Sequence, residues 1–286
     1  MTGLALALIL TAAFIHATWN LLVKRAGGGA AFLWLFALIS TVLYAPLVVA
    51  VVILQEPRLG GTELLFLSGS TLLHLIYFLV LQRGYRVGDL SLVYPLARGT
   101  GPVLATIFAI ALMGERPTPI ALGGAGLIVV GVLLLTGGPN LSRTDGARPA
   151  VAYGMLTGVI IASYTLWDKG AVSMLLIPPL LLVYCSHLGR VALLAPVVVR
   201  RWEEVRAEWR YHRREAMAVA LLCPLSYILV LTALVFTPVS YVAPAREISI
   251  LIGAVMGTRL LAEGKTLRRL VAASAMVAGV VALALG

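Results

Sequence analysis

The sequence predicts an all-α integral membrane protein of ten transmembrane helices, built as two five-helix repeats of inverted topology. Three observations carry that expectation. First, 60% of the chain is hydrophobic and 12% is charged, whereas a soluble domain is about 45–50% apolar and about 25% charged. Second, the apolar residues form ten runs, near 2–23, 30–54, 64–82, 90–113, 118–137, 150–170, 174–199, 215–236, 239–262 and 267–285. A helix needs about 20 apolar residues to cross a bilayer. Third, the chain repeats its landmarks.

Hydrocarbon offers no partner to backbone N–H and C=O groups, so a spanning run must be a helix or part of a closed barrel. The runs lack apolar/polar alternation, which excludes a barrel.

The repeat is clearest where Ser91–Leu135 is echoed by Ser240–Leu285. Arg98 lies seventeen residues before Glu115, and Arg246 lies seventeen before Glu263. Thr118 and Thr266 each follow that glutamate by three. The same offset of 148 maps Trp19-Asn20 onto Trp167-Asp168 and His16 onto Tyr164. Tyr77-Phe-Leu-Val-Leu matches Tyr227-Ile-Leu-Val-Leu at an offset of 150. Residues 1–140 and 150–286 are therefore expected to be homologous halves, joined by a polar linker at 141–149 rich in turn-forming residues. Five spans is an odd number, so the second half must enter the membrane in the opposite sense to the first.

The net charge of +10 is distributed as a topology signal and gives no reason to expect a nucleic-acid partner. Loops after odd-numbered runs carry Lys24, Arg25, Arg83, Arg86, Arg143, Arg148, Lys265, Arg268 and Arg269. The loop after run seven adds Arg200, Arg201, Arg206, Arg210, Arg213 and Arg214, whereas the even loops hold little beyond Arg58 and Arg116. The positive-inside rule then places the odd loops in the cytoplasm of a bacterial inner membrane and both termini outside. The stretch from Arg200 to Arg214, with Trp202 and Trp209, reads as an interfacial helix. The first run ends in Trp19-Asn20 and Lys24-Arg25 without a small-residue cleavage site, so it reads as a retained helix. Cys185 and Cys223 fall inside apolar runs and read as packing residues.

Within the runs, polar residues mark inward faces. His16, Trp19 and Asn20 share one face of run one through i, i+3, i+4 spacing. Run two has no charge and is expected at the periphery. His74 and Tyr77 share a face of run three. Run four carries Tyr94 and Arg98, with Pro102 one turn beyond. Proline removes the hydrogen bond that its N–H would give the Arg98 carbonyl, so the helix can kink beside the arginine. Runs five and ten are rich in small residues, including the pairs Ala121/Ala125 and Ala275/Gly279, and are expected to pack closely. Run six carries Tyr164, Trp167, Asp168 and Lys169; run eight carries Tyr227; run nine carries Pro244, Arg246 and Glu247. An ionisable residue inside a membrane is costly and therefore a candidate functional group.

The segments His-Ala-Thr-Trp-Asn-Leu-Leu-Val-Lys-Arg at 16–25 and Gly-Asp-Leu-Ser-Leu-Val-Tyr-Pro-Leu-Ala-Arg-Gly at 88–99 carry a family resemblance. With the Gly114-Glu115-Arg116 turn and its Ala262-Glu263-Gly264-Lys265 counterpart, they resemble the EamA family of the drug/metabolite transporter superfamily. The resemblance implies a central cavity lined by spans one, three, four, six, eight and nine, with packing roles for spans five and ten. It also implies both termini in the cytoplasm, against the charge pattern above.

On this reading the protein is a secondary transporter that moves a small polar metabolite by alternating access. The candidate binding residues are His16, Trp19, Asn20, His74, Tyr77, Tyr94, Arg98, Tyr164, Trp167, Asp168, Tyr227, Arg246 and Glu247. Arg98 and Arg246 favour an amino acid or another solute bearing a carboxylate or oxyanion, because guanidinium pairs with such groups bidentately. Asp168 and Glu247 are the protonatable partners, leaving proton or ion coupling open. The alternatives are a multidrug or organic-cation exporter, and a flippase-type protein for lipid-linked carriers. No metalloprotease, nucleophile-elbow or Walker motif is present, so neither an enzyme nor a cofactor or metal site is expected. The partners expected are the solute and the lipid bilayer, with the chain as a monomer or homodimer.

Overall fold

A computed structural model describes residues 1–87, 90–136, 147–261 and 267–286. All regular structure among them is helical. The first half holds α1 (Gly3–Arg25), α2 (Ala30–Gln55), α3 (Gly61–Val87), α4 (Leu90–Met113) and α5 (Pro119–Thr136). The second holds α6 (Ala147–Ser173), α7 (Pro179–Val199), α8 (Trp202–Phe236), α9 (Val239–Ala245), α10 (Ile248–Leu261) and α11 (Leu267–Leu285). Glu263, Lys265 and Thr266 of the second polar turn lie outside the described residues, as do Asp89 and most of the expected linker. The linker's last residues, 147–149, form the first turn of α6.

Among the described residues, eight segments have the length and hydropathy to cross a membrane, and Pro119–Leu135 and Leu270–Leu285 are shorter apolar helices. The chain is therefore a multi-pass helical membrane protein.

Two elements differ from the sequence expectation. The interfacial helix and run eight are continuous as α8, bent at His212 (φ −125°, ψ 24°). The bend falls where the chain leaves its Arg/Glu-rich surface turn and enters the apolar stretch from Ala216. Run four, where Pro102 allows a kink beside Arg98, is one continuous helix through the proline. A break comes in the other half, where run nine divides into α9 and α10 at Arg246-Glu247. Pro244 has no N–H to give, and the backbone there tightens to i−3 bonds. Glu247 N–H donates to Pro244 O (3.0 Å), Ser249 N–H to Arg246 O (3.1 Å) and Ile250 N–H to Glu247 O (2.9 Å). Such short 3₁₀ stretches inside helices often mark a functional hinge.

α5 and α11 pack side by side. Their backbones meet at two glycines: a Cβ on Gly124 would stand 2.7 Å from Gly279 O, and one on Gly279 2.6 Å from Gly124 O. α4 packs on α6, α1 on α8, α3 on α6, α2 on α7 and α1 on α10. α2 is more involved than an uncharged peripheral helix. Trp34 Nε1–H donates to Val191 O (3.0 Å) and Tyr44 Oη–H to Leu221 O (2.7 Å), tying it to α7 and α8.

The end of the bundle where the chain begins and finishes is tied shut. Glu115, in the turn between α4 and α5, accepts from the N–H groups of Val239 (2.6 Å) and Ser240 (2.9 Å) at the start of α9. Thr118 N–H donates to Tyr241 Oη (3.3 Å), and that hydroxyl donates to Gly286 O (3.2 Å). Lys169 Nζ donates to Leu234 O (2.6 Å) and Thr237 O (3.2 Å) at the end of α8.

Candidate functional site

Above that closed end the helices separate around a cavity of about 630 Å³. Its mouth is bounded by Lys24 and Gly27–Gly29 after α1, and by Gln82 and Tyr85 near the end of α3. It therefore opens at the end carrying the odd-numbered loops, away from the termini. Small-molecule sites usually enclose about 300–1,000 Å³, so the volume suits one metabolite.

Ten of the thirteen candidate residues line this space: His16, Trp19, Asn20, His74, Tyr77, Tyr94, Arg98, Tyr164, Tyr227 and Arg246. The local geometry follows from helical spacing. His16 and Trp19 meet edge to face on α1 at 4.8 Å. Trp19 Nε1–H donates to Ser226 Oγ on α8 (3.2 Å), and Asn20 Nδ2–H turns back to His16 O (2.7 Å). The aromatic wall is built by Tyr164, which stacks on His74 at 4.3 Å and meets Tyr77 edge to face at 5.7 Å.

The other three stand behind the wall. Trp167 packs outside the cavity, stacked on Phe66 at 4.4 Å with its Nε1–H on Phe66 O (2.9 Å). It is thus not part of the aromatic wall. Consecutive helical residues point about 100° apart, and Trp167 and Asp168 divide accordingly. Asp168 is fully buried, where its Oδ2 accepts from Tyr227 Oη–H (2.5 Å) and lies 3.0 Å from His74 Nε2. Glu247 is 4% exposed, and its Oε2 lies 2.9 Å from Arg98 Nε. The two atoms are close but not aligned for a hydrogen bond, so this is a charge contact.

The charges do not balance within the cavity. Glu247 is committed to Arg98. Arg246 instead lies over the Tyr227 ring, 5.4 Å from its centroid. The lining also includes Arg190 of α7. Neither Arg190 nor Arg246 has a carboxylate within ion-pair distance among the described residues. Their guanidinium groups face the space with donors to spare. Phe36 of α2 and His187 of α7 complete the wall on that side, so α2 and α7 join the lining as well. Among the described residues no group of three or more His, Cys, Asp or Glu is placed to hold a metal ion.

Residues 3–137 match the model of the EamA-like transporter family. The first half of the chain belongs to this family. Across its full length the chain is a multi-pass helical membrane protein, and over residues 3–137 it is similar to that transporter family. A solved crystal structure superposes with a TM-score of 0.78, covering 100% of this chain and 98% of that one at 16% identity. At that identity the likeness shows the fold alone, and it extends the fold across both halves. No curated protein matches the sequence.

Sequence reasoning missed Arg190 and Glu115. Arg190 lies in run seven, which holds none of the repeated landmarks. Glu115 belongs to the repeated motif itself, but its partners, two backbone amides in the other half, leave no side-chain signature.

Proposed function

We propose that this EamA-type protein is a secondary transporter that carries a small solute bearing a carboxylate or other oxyanion, an amino acid among the candidates, by alternating access. The observation that carries the reading is the cavity with one closed end and two uncommitted arginines. Arg190 and Arg246 supply positive charge, and Tyr77, Tyr94, Tyr164 and Tyr227 supply a surface for an apolar or aromatic body. Arg98, paired with Glu247, organises the junction of α4 with α9 and α10. A lipophilic cation would find the aromatic faces but would meet both free guanidinium groups.

Two repeats, 1–140 and 150–286, account for the packing. If α1, α2, α3, α4 and α5 exchange with α6, α7, α8, α9–α10 and α11, the contacts map onto one another. α1 on α8 becomes α6 on α3, α4 on α6 becomes α9–α10 on α1, and α2 on α7 and α5 on α11 map onto themselves. An inverted repeat of ten spans has this property, the eight long segments being joined by the shorter α5 and α11. In this reading the odd-numbered loops are cytoplasmic in a bacterial inner membrane, and the cavity is open to the cytoplasm. Rocking of one half against the other would close that mouth and release the contacts at Glu115.

A thermal-shift screen of the purified protein in detergent tests the reading, with anionic, zwitterionic and cationic metabolites on wild type and Arg246→Gln. A ligand of the folded state raises apparent stability by mass action. Stabilisation by an acid or zwitterion that Arg246→Gln abolishes is the expected result. Stabilisation by aromatic cations alone, unchanged in the variant, overturns it in favour of an organic-cation exporter.

A further inference from the structure

We propose that Asp168, His74 and Tyr227 form a single proton-binding site that opens to the cavity through the His74 ring. Its role as the coupling site of transport rests on the transporter reading above; the binding of the proton does not.

The geometry is that of a shared proton. Asp168 has no exposed surface. Tyr227 Oη–H meets Oδ2 at 2.5 Å and His74 Nε2 stands 3.0 Å from the same oxygen, while Oδ1 has no hydrogen-bond partner among the described residues. An ionised carboxylate in such a place is expensive unless a positive charge accompanies it. One proton on the pair meets that need in either position. The step is Asp168–COOH plus neutral His74 in exchange with Asp168–COO⁻ plus imidazolium, the proton moving along the Nε2···Oδ2 contact. No other reactant is required. Asp168 does not line the cavity and His74 does, so the imidazole is the way in and out.

The surroundings connect this proton to the cavity charge. Tyr227 bonds Asp168 through its hydroxyl and carries Arg246 over its ring face. The groups facing the site are His74 and Tyr77 from α3, Arg98 from α4, Tyr164 from α6, and His187 and Arg190 from α7, with His16 of α1 in the same lining. Tyr227 faces it from α8, and Arg246 and Glu247 from the break between α9 and α10. Glu247 is held by Arg98; of the two uncommitted guanidinium groups, Arg246 is the one joined to the site through the Tyr227 ring. An anion that occupies Arg246 withdraws that positive charge, and Asp168 then needs the proton. A metal cation at Oδ2 would instead require several oxygen ligands, where the groups present are an imidazole nitrogen and a phenol donor.

Among the described residues the site has no counterpart in the other half. The repeat position of Asp168 is Asn20, an exposed amide bonded to its own helix, which does not ionise. One proton per protein is therefore expected.

The test reads the proton and not solute flux, so its failure is distinct from failure of the transporter reading. Full-length protein in detergent is titrated by infrared pH-difference spectroscopy, which sees the carboxyl, and by ¹⁵N-histidine NMR, which sees the ring. His74→Gln assigns the ring signal, and each titration is run in sodium and in potassium buffer. The expected result is a carboxylic-acid band lost in Asp168→Asn, together with a His74 ring that binds its proton at least tenfold more weakly in that variant. Tyr227→Phe, which keeps both titrating groups, is expected to strengthen proton binding, because the carboxylate loses a donor that favours its ionised form. A band that survives Asp168→Asn, a His74 titration left unmoved by both variants, or a midpoint that follows the sodium concentration overturns the proposal.

Discussion

Arg98 and Glu247 join the two halves of the chain through a 2.9 Å charge contact, with both groups nearly excluded from solvent. Removing one partner from such a pair leaves the other buried and uncompensated, which costs about 3–5 kcal/mol. Glu247→Gln is therefore expected to destabilise the protein by about that amount. The double variant Arg98→Gln/Glu247→Gln should recover a substantial part. A double-mutant cycle on unfolding measures the coupling, and strictly additive losses contradict the pairing.

The α5–α11 contact rests on backbone approach. Gly124→Val places a side chain against Gly279 O and should cost about 1–3 kcal/mol, the usual range for overpacking. Gly123→Val is the control, since a Cβ there meets nothing within 4 Å. Denaturation of the two variants side by side should separate them.

Glu115 is the bond between the α4–α5 turn and the start of α9. Glu115→Gln keeps the shape and removes the charge that strengthens both hydrogen bonds, each worth about 1.5–3 kcal/mol in net terms. The sealed end should then open more often. In a Cys185→Ser/Cys223→Ser background carrying Ser240→Cys, a buried position, Glu115→Gln should raise the rate of maleimide labelling by about tenfold or more, a change of about 1.4 kcal/mol. Equal rates would remove Glu115 from the closure.

The two uncommitted arginines make a prediction about sign. Arg190→Gln and Arg246→Gln should each weaken equilibrium binding of benzoate, taken as a simple aromatic carboxylate, by about tenfold or more, or about 1.4 kcal/mol. Binding of a benzylammonium cation should be unchanged or strengthened. Isothermal titration against both probes separates the outcomes.

The sequence made the helices easy to read, because hydrocarbon demands long apolar runs whatever their partners. It also placed His16, His74, Tyr77, Arg98 and Arg246, since a polar residue inside such a run must face inward. What it could not give was position on a shared wall. Trp167 and Asp168 are neighbours in sequence, yet one stacks on Phe66 and the other supports His74 and Tyr227. Their division depends on how α6 is rotated against α3 and α8. The break at Arg246-Glu247 was hidden for a related reason. Pro102 and Pro244 sit beside the equivalent arginines, on opposite sides of them, and only Pro244 precedes a change to 3₁₀ bonding. Arg190 was hidden because it lies on a span with no repeated motif to single it out.

The cavity is reached from the odd-loop side and closed at the end bearing the termini. The direct measurement is labelling of Asn20→Cys, an exposed lining position, in the Cys185→Ser/Cys223→Ser background. A membrane-impermeant maleimide is applied to right-side-out and to inside-out membrane vesicles. Fast labelling from the cytoplasmic face and protection from the outer face are the expected result. Labelling from the outer face alone would contradict the proposed orientation, in which the odd-numbered loops and the cavity mouth are cytoplasmic.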